Sequence, residues 1–587
     1  MSGINNAVLS ELLTDIAVVE AVHYREPINP QKVHFAAQLI DNSGIVEQLE
    51  EWEREDRAGK QPGGRPGMVS IRAALILLLL LARENSPMLV SKMEELLSSR
   101  LPRNARLQQR LILAGSPRAR YHQLWRTLQR VRNLLDPYPM PRRNLLTEAQ
   151  WIEVKDARNP DDAEKKQLRL NWFANQLLET TAQTVPAQYR KWSGNIVVDA
   201  TLVASPAKGR SPEWGHMSSD PDAAWYVREG DHRDRSVGRN QKRSVKRVWG
   251  YEAEILLQFR NKEGEKEFPA LAIGVAFHKP GVKPAEEAII ALSSIRDRGH
   301  PAGYLVGDRL YAPGSKADVY QLPARRLGYD LVMDYKKTML GAQGGSHEGM
   351  IQVEGSYYSP SMPQSLRDAT IHYRTDKSID KKTWRERINA RTAYLFRPKE
   401  KPNTDGSVPM MCPAVGPGAT LDCPIKNLLL TRKTPSSRVP MRMPVFEHPA
   451  PEDQGKACTN KSSVTVPMNY GAKYHQSIQF GTKAWRKVYT HARNRIEGFN
   501  AYVKHEPSFA LASRGRRMVR GYTAQYIVTA FLLAAANLRI IEDFLLSKRD
   551  PETTLVPSDT IAGTTAMLGL LEAVANPPGI WPPDNPR

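Results

Sequence analysis

The chain has 587 residues, 41% of them hydrophobic, with 83 Lys and Arg against 62 Asp and Glu and a formal net charge of +21. That length allows about three or four domains and a sizeable core. The charge surplus favours a polyanionic partner, most simply nucleic acid, over a merely solvated basic surface, and three cysteines (Cys412, Cys423, Cys458) rule out a disulfide framework and fit a reducing cytoplasm. The opening "MSGINNAVLSELLTDIAVVEAV" carries acids early and lacks a basic flank, so it does not read as a secretory signal. Residues 1–60 read as an N-terminal helical segment ending in "EEWEREDRAGKQPGGRPG", a linker or turn. Residues 61–150 read as further helices. The run "AALILLLLLA" is about half the roughly 20 residues a membrane span needs, so it predicts a core helix and no membrane. In "YHQLWRTLQRVRNLLD", Leu124, Leu128, Val131 and Leu135 recur at helical spacing, while Arg126, Arg130 and Arg132 occupy the other faces. These helices suit a DNA-end-binding module, or equally a plain bundle with a basic face.

From about residue 190 the pattern changes. "NIVVDATLV", "YEAEILLQF" and "PALAIGVAF" read as strands, with a long loop expected over 205–248. "PAEEAIIALSSIRDRG" reads as a helix, with Pro first, acids in the first turn and Gly after the end. The strand "GYLVGD", a helix through "SKADVYQLPARRLG" and the strand "YDLVMDY" follow. Three strands, helix, strand, helix, strand predicts an α/β fold with a ribonuclease-H-like mixed sheet over 190–345. Residues 346–480 read as an inserted, mostly β and irregular subdomain, 481–545 as the helical return of the core, and 546–587 as a loose tail.

Asp199 sits inside the first apolar strand, where an unpaired carboxylate is costly. Asp308 ends the strand "GYLVGD". Each alone reads equally as a cap or an ion-pair partner; on neighbouring strands the two can share a Mg²⁺ site. Asp334 is a rival at the end of the last strand. In "YTHARNRIEGFNAYVK", Tyr489, Arg493, Glu497 and Lys504 fall within an arc of about 80° on a helix. Ala492, Ile496, Phe499 and Val503 fill the adjacent arc, which can pack on the sheet and aim the polar stripe at the two aspartates. Glu497 then completes a three-carboxylate set, Arg493 and Lys504 are placed for phosphates, and Tyr489 stacks or hydrogen-bonds beside them. An ordinary surface helix with an Arg–Glu pair is the plain alternative.

With these residues in view, the chain resembles the DDE transposases of bacterial insertion sequences, the group with a Tyr-Arg-Glu-Lys signature. The likeness rests on Asp199 in "VVDATLV", Asp308 in "LVGDRLY" and Glu497 in "RNRIEGFNAYVK", with Arg-x3-Glu-x6-Lys spacing and a later "AAANLR". It covers about residues 190–540, and 65–135 more weakly. The gap from Tyr489 to Arg493 is one residue longer than the usual signature. The resemblance implies Asp199, Asp308 and Glu497 as catalytic metal ligands for two Mg²⁺ ions, with Mn²⁺ as a substitute. It also implies cleavage and strand transfer on double-stranded DNA, a homodimer handling two ends, and a cytoplasmic, nucleoid-associated protein. A DNA-binding protein without catalysis and a nuclease that never joins are the alternatives.

Two weaker features remain. Cys412, Cys423 and Cys458 with His448 or His475 are irregularly spaced for zinc and read better as free thiols. The basic stretch "WYVREGDHRDRSVGRNQKRSVKRVWGYE" either tracks a DNA backbone, Lys246 and Arg247 included, or is a solvated loop. Within it Trp249 reads as core.

Overall fold

A computed structural model describes residues 26–58, 69–140, 145–211, 215–229, 245–260, 267–430, 442–445 and 449–548. The segment before residue 26, the Gly/Pro cluster, most of the basic loop, His448, the side chain of Lys246 and the tail beyond 548 lie outside the described residues.

Helix α1 (Pro30–Asn42) begins where the Asn29 side chain accepts the Gln31 N–H and proline takes the first turn. α2 (Ile45–Arg57) follows Gly44, which sits at φ +67°. α3 (Ile71–Arg83), capped by Ser70, is the leucine run; almost every side chain from Ile71 to Ala82 is buried, as a core helix requires. α4 (Pro117–Leu135) is capped by Ser116 and buries Leu124, Val131 and Leu135. α5 (Pro160–Gln183) lies where the sequence patterning predicts nothing, although its signals are ordinary. Asn159 caps two N–H groups, Pro160 opens the helix and two acids follow.

The sheet comprises β1 (Ile196–Ala204), β2 (Ala224–Glu229), β3 (Val245–Gln258), β4 (Ala272–His278), β5 (Tyr304–Val306) and β6 (Asp330–Val332), with α6 (Pro284–Asp297) between β4 and β5. The order is β2-β3-β1-β5-β6, with β4 paired to β3 off this path. β1 runs antiparallel to β3 and parallel to β5, and β5 runs parallel to β6. The class is therefore α/β, as expected. β2 and the start of β3 correct the long loop expected over 205–248. Trp225 and Trp249 pair across these strands with rings 5.3 Å apart, a contact that the surrounding charges concealed in the sequence. Trp249 is buried, as expected of a core residue.

Two helices complete the core, α7 (Lys483–Lys504) and α8 (Tyr522–Leu546). Among the described residues β4 pairs only with β3, so its other edge needs partners. Asn175 of α5 exchanges both amide atoms with the Val275 backbone at 2.9 Å. Asn537 of α8 does the same with Ala272 at 2.9 and 2.8 Å. Side-chain amides thus stand in for a missing strand and lock both helices to the sheet. α8 is long and apolar enough to cross a membrane, yet 89% of its apolar window is buried within the protein, against α3, α5 and β4.

The insertion holds small sheets at 342–358 and 397–466, so its first strand starts a few residues before the expected boundary. It also holds helices over Ala369–Arg374 and Lys381–Ala390. It has its own core, including Met350, Tyr358, Phe396 and Val464.

A candidate acidic site around Arg493

α7 is capped by Thr482 and buries Trp485, Val488, Ala492, Ile496, Phe499, Asn500 and Val503. These include the whole predicted apolar arc. The helix packs on β1, β5 and β6, so its polar stripe runs beside the strands that carry the aspartates. Arg493 Nη1 lies 3.2 Å from Asp199 Oδ1, and Arg493 Nη2 lies 3.5 Å from Glu497 Oε1. One guanidinium therefore bridges the first and third predicted acids. Asn500 Nδ2 donates to the other Asp199 oxygen at 2.9 Å.

Asp308 follows β5 in a tight turn, its Oδ1 accepting the Leu310 N–H at 2.6 Å. Burial pushes the Asp199 carboxyl above the usual carboxylate range. Arg493 and Lys504 pull it down, and the charge of Asp308 pushes it further up. The Asp199 side chain is only 19% exposed, whereas Glu497 is 48% exposed. The two aspartates are thus electrostatic neighbours, and Glu497 stands at the open side.

Tyr489 is stacked on Trp485, with rings 4.8 Å apart and 10° from parallel. Burial raises its hydroxyl pKa, and Asp334, Arg493, Arg309 and Asp308 all act on it. Trp485 is core, donating Nε1 to the Met333 carbonyl at 3.1 Å. Asp334, the rival acid, is held by Arg309 and, at 2.8 Å, by Arg374.

Asn500 is the site residue that the sequence patterning passes over. At 100° per residue it lies about 20° from Arg493, inside the same stripe, but it is neutral. Its Oδ1 is buried and has no hydrogen-bond partner among the described residues. Three carboxylates and an unsatisfied amide oxygen are the hard donors that a divalent cation such as Mg²⁺ takes. Among the described residues, no three His, Cys, Asp or Glu side chains are grouped closely enough to form a metal cage. Asp199 and Glu497 instead meet on Arg493, with Asp308 acting on it at longer range.

Of the other residues expected to meet DNA, Arg126 is exposed, and so is Arg247 on β3. Arg130 is partly buried and forms a two-pronged pair with Glu53 at 3.0 and 2.7 Å. The side chain of Lys246 is outside the described residues. The three cysteines are free thiols lining one small cavity with Lys426. His475 stacks elsewhere, on Tyr357.

No protein-family model, curated protein or solved structure matches the chain.

Proposed function

We propose that the protein is a DNA transposase of the DDE type, cleaving strands at the ends of its element and joining them to target DNA. The observation that carries this is the meeting of Asp199 and Glu497, 298 positions apart in the chain, on one guanidinium, with Asp308 as an electrostatic neighbour. The strand order, four antiparallel-paired strands (β1 to β4, of which β2 is an addition at the sheet edge) followed by two parallel ones reached through helices, supports a ribonuclease-H-like core.

Asp199, Asp308 and Glu497 would hold divalent cations, Mg²⁺ or Mn²⁺, in a two-ion site. Such ions supply activation of a water or 3′-hydroxyl and stabilisation of the leaving oxygen. The chain's own residues do the rest. Asn500 fixes the Asp199 carboxylate, Arg493 and Lys504 bring positive charge to the phosphate, and Tyr489 walls the cleft beside them. A formal charge of +21 supports double-stranded DNA as partner. Two ends to be handled together favour a homodimer on DNA, in the cytoplasm at the nucleoid.

Labelled oligonucleotides carrying the DNA that flanks the gene, incubated with protein and Mg²⁺, test this. Cleaved and joined products are expected. Cleavage without joining indicates a nuclease, and binding without cleavage a non-catalytic DNA-binding protein.

A further inference from the structure

Behind the acids lies a buried group of ionisable side chains that the proposed chemistry leaves unused. Glu254 of β3 is fully enclosed, and Tyr311 and His278 are 1% and 5% exposed. One Glu254 oxygen meets His278 Nε2 at 2.8 Å, and the other accepts the Tyr311 hydroxyl. His278 Nδ1 lies 2.7 Å from the Lys279 carbonyl oxygen, which can only accept, so this nitrogen carries a proton. An isolated carboxylate at this depth would be costly; here hydroxyl, carboxyl and imidazole satisfy one another.

Tyr311 connects this group to the second acid. It belongs to the turn in which Asp308 Oδ1 accepts the Leu310 N–H at 2.6 Å and the Asp308 carbonyl accepts the Ala312 N–H at 3.3 Å. Its ring lies so close to Gly307 that a side chain there would meet Tyr311 and Val198 at 3.3 Å. Glu254 also stands in register with Ala200, the residue after Asp199. The hydroxyl of Tyr311 therefore ties the turn carrying Asp308 to the strand beside Asp199.

We propose that Tyr311, anchored by the Glu254–His278 pair, is a positioning residue that sets the Asp308 carboxylate for divalent-cation binding. The proposal rests on the reading of the acids as cation ligands. It differs from a purely structural role because the anchor acts on one ligand and not on folding alone.

The test uses the full chain and Mn²⁺ as probe, with free ion counted by electron paramagnetic resonance. Tyr311→Phe removes only the hydroxyl. Tyr526→Phe removes a comparably buried hydroxyl, bonded to the Val275 carbonyl at 2.9 Å, and serves as control. Tyr311→Phe is expected to weaken Mn²⁺ binding about tenfold. It should raise the Mn²⁺ needed for half-maximal cleavage by the same factor and leave DNA affinity unchanged. Tyr526→Phe should leave the Mn²⁺ response unchanged. Wild-type affinity in Tyr311→Phe, or equal weakening in both variants, overturns the proposal while leaving the acidic site standing. If wild type binds no Mn²⁺ that Asp199→Asn removes, the underlying reading of the acids falls as well.

Discussion

Asn500 donates its side-chain amide to Asp199 at 2.9 Å across 301 positions of sequence. That bond fixes the orientation of a carboxylate which burial and Asp308 already push toward protonation. Asn500→Ala removes the donor without adding charge. Cleavage in the oligonucleotide assay should fall about 10–100-fold, the usual cost of losing a partner that orients a ligand. The melting midpoint should move little. Full activity in Asn500→Ala would show that Asp199 needs no such support.

Arg126 and Arg130 share one helix and have different surroundings. Arg126 is exposed, while Arg130 grips Glu53. Arg126→Ala should lower the slope of log affinity for DNA against log salt by about 1. Arg130→Ala should leave that slope unchanged and cost about 1 kcal/mol of stability in urea titration. The opposite pattern would remove the first helical region from the DNA interface.

Arg391 and Glu354 form a pair at 2.5 Å, their side chains 1% and 0% exposed. Arg391 also donates to the Leu366 carbonyl at 2.7 Å, and Glu354 accepts from Thr370 at 2.9 Å. Arg391→Met leaves a buried carboxylate without its counter-charge. The loss should be about 3–5 kcal/mol, seen as early unfolding of the insertion in denaturant. Replacing both partners with apolar residues should recover much of it.

His475 supplies a pH dependence with a definite sign. Burial, aided by the charge of Arg325, pushes its pKa from 6.5 down to about 3. The folded protein keeps this imidazole neutral where the unfolded chain would take up a proton. Its contribution to stability is complete above about pH 6.5 and is lost progressively as the pH falls toward about 3, on the order of 5 kcal/mol in all. His475→Asn should flatten the fall of melting midpoint between those pH values. An unchanged slope would assign the acid sensitivity elsewhere.

The parts of the site that were legible in the sequence are those written in local periodicity or in a costly residue type. Asp199 stood out as a charge inside an apolar strand, and Arg493 and Glu497 as a stripe beside the apolar arc of α7. Asn500 shares that stripe but carries no charge, so nothing marked it. Tyr311 and Glu254 gain their meaning only from each other, across 57 positions. The same holds for Asn175 and Asn537, whose bonds to the bare edge of β4 no local pattern encodes. α5 was hidden because its polar flank dilutes the apolar repeat, and β2 because a short aromatic strand lies among charges. Arg130 shares the local pattern of Arg126, and its pairing with Glu53, 77 positions away, is written in no local signal.

The central claim is that Asp199, Asp308 and Glu497 grip divalent ions in one place. Fe²⁺ substituted for Mg²⁺, with ascorbate and peroxide, generates radicals that cut the backbone where the ion sits. Fragments ending near residues 199, 308 and 497, suppressed by excess Mg²⁺ and by Asp199→Asn, are the expected result. Cuts that miss any of these three segments, or that persist unchanged in Asp199→Asn, would contradict the account.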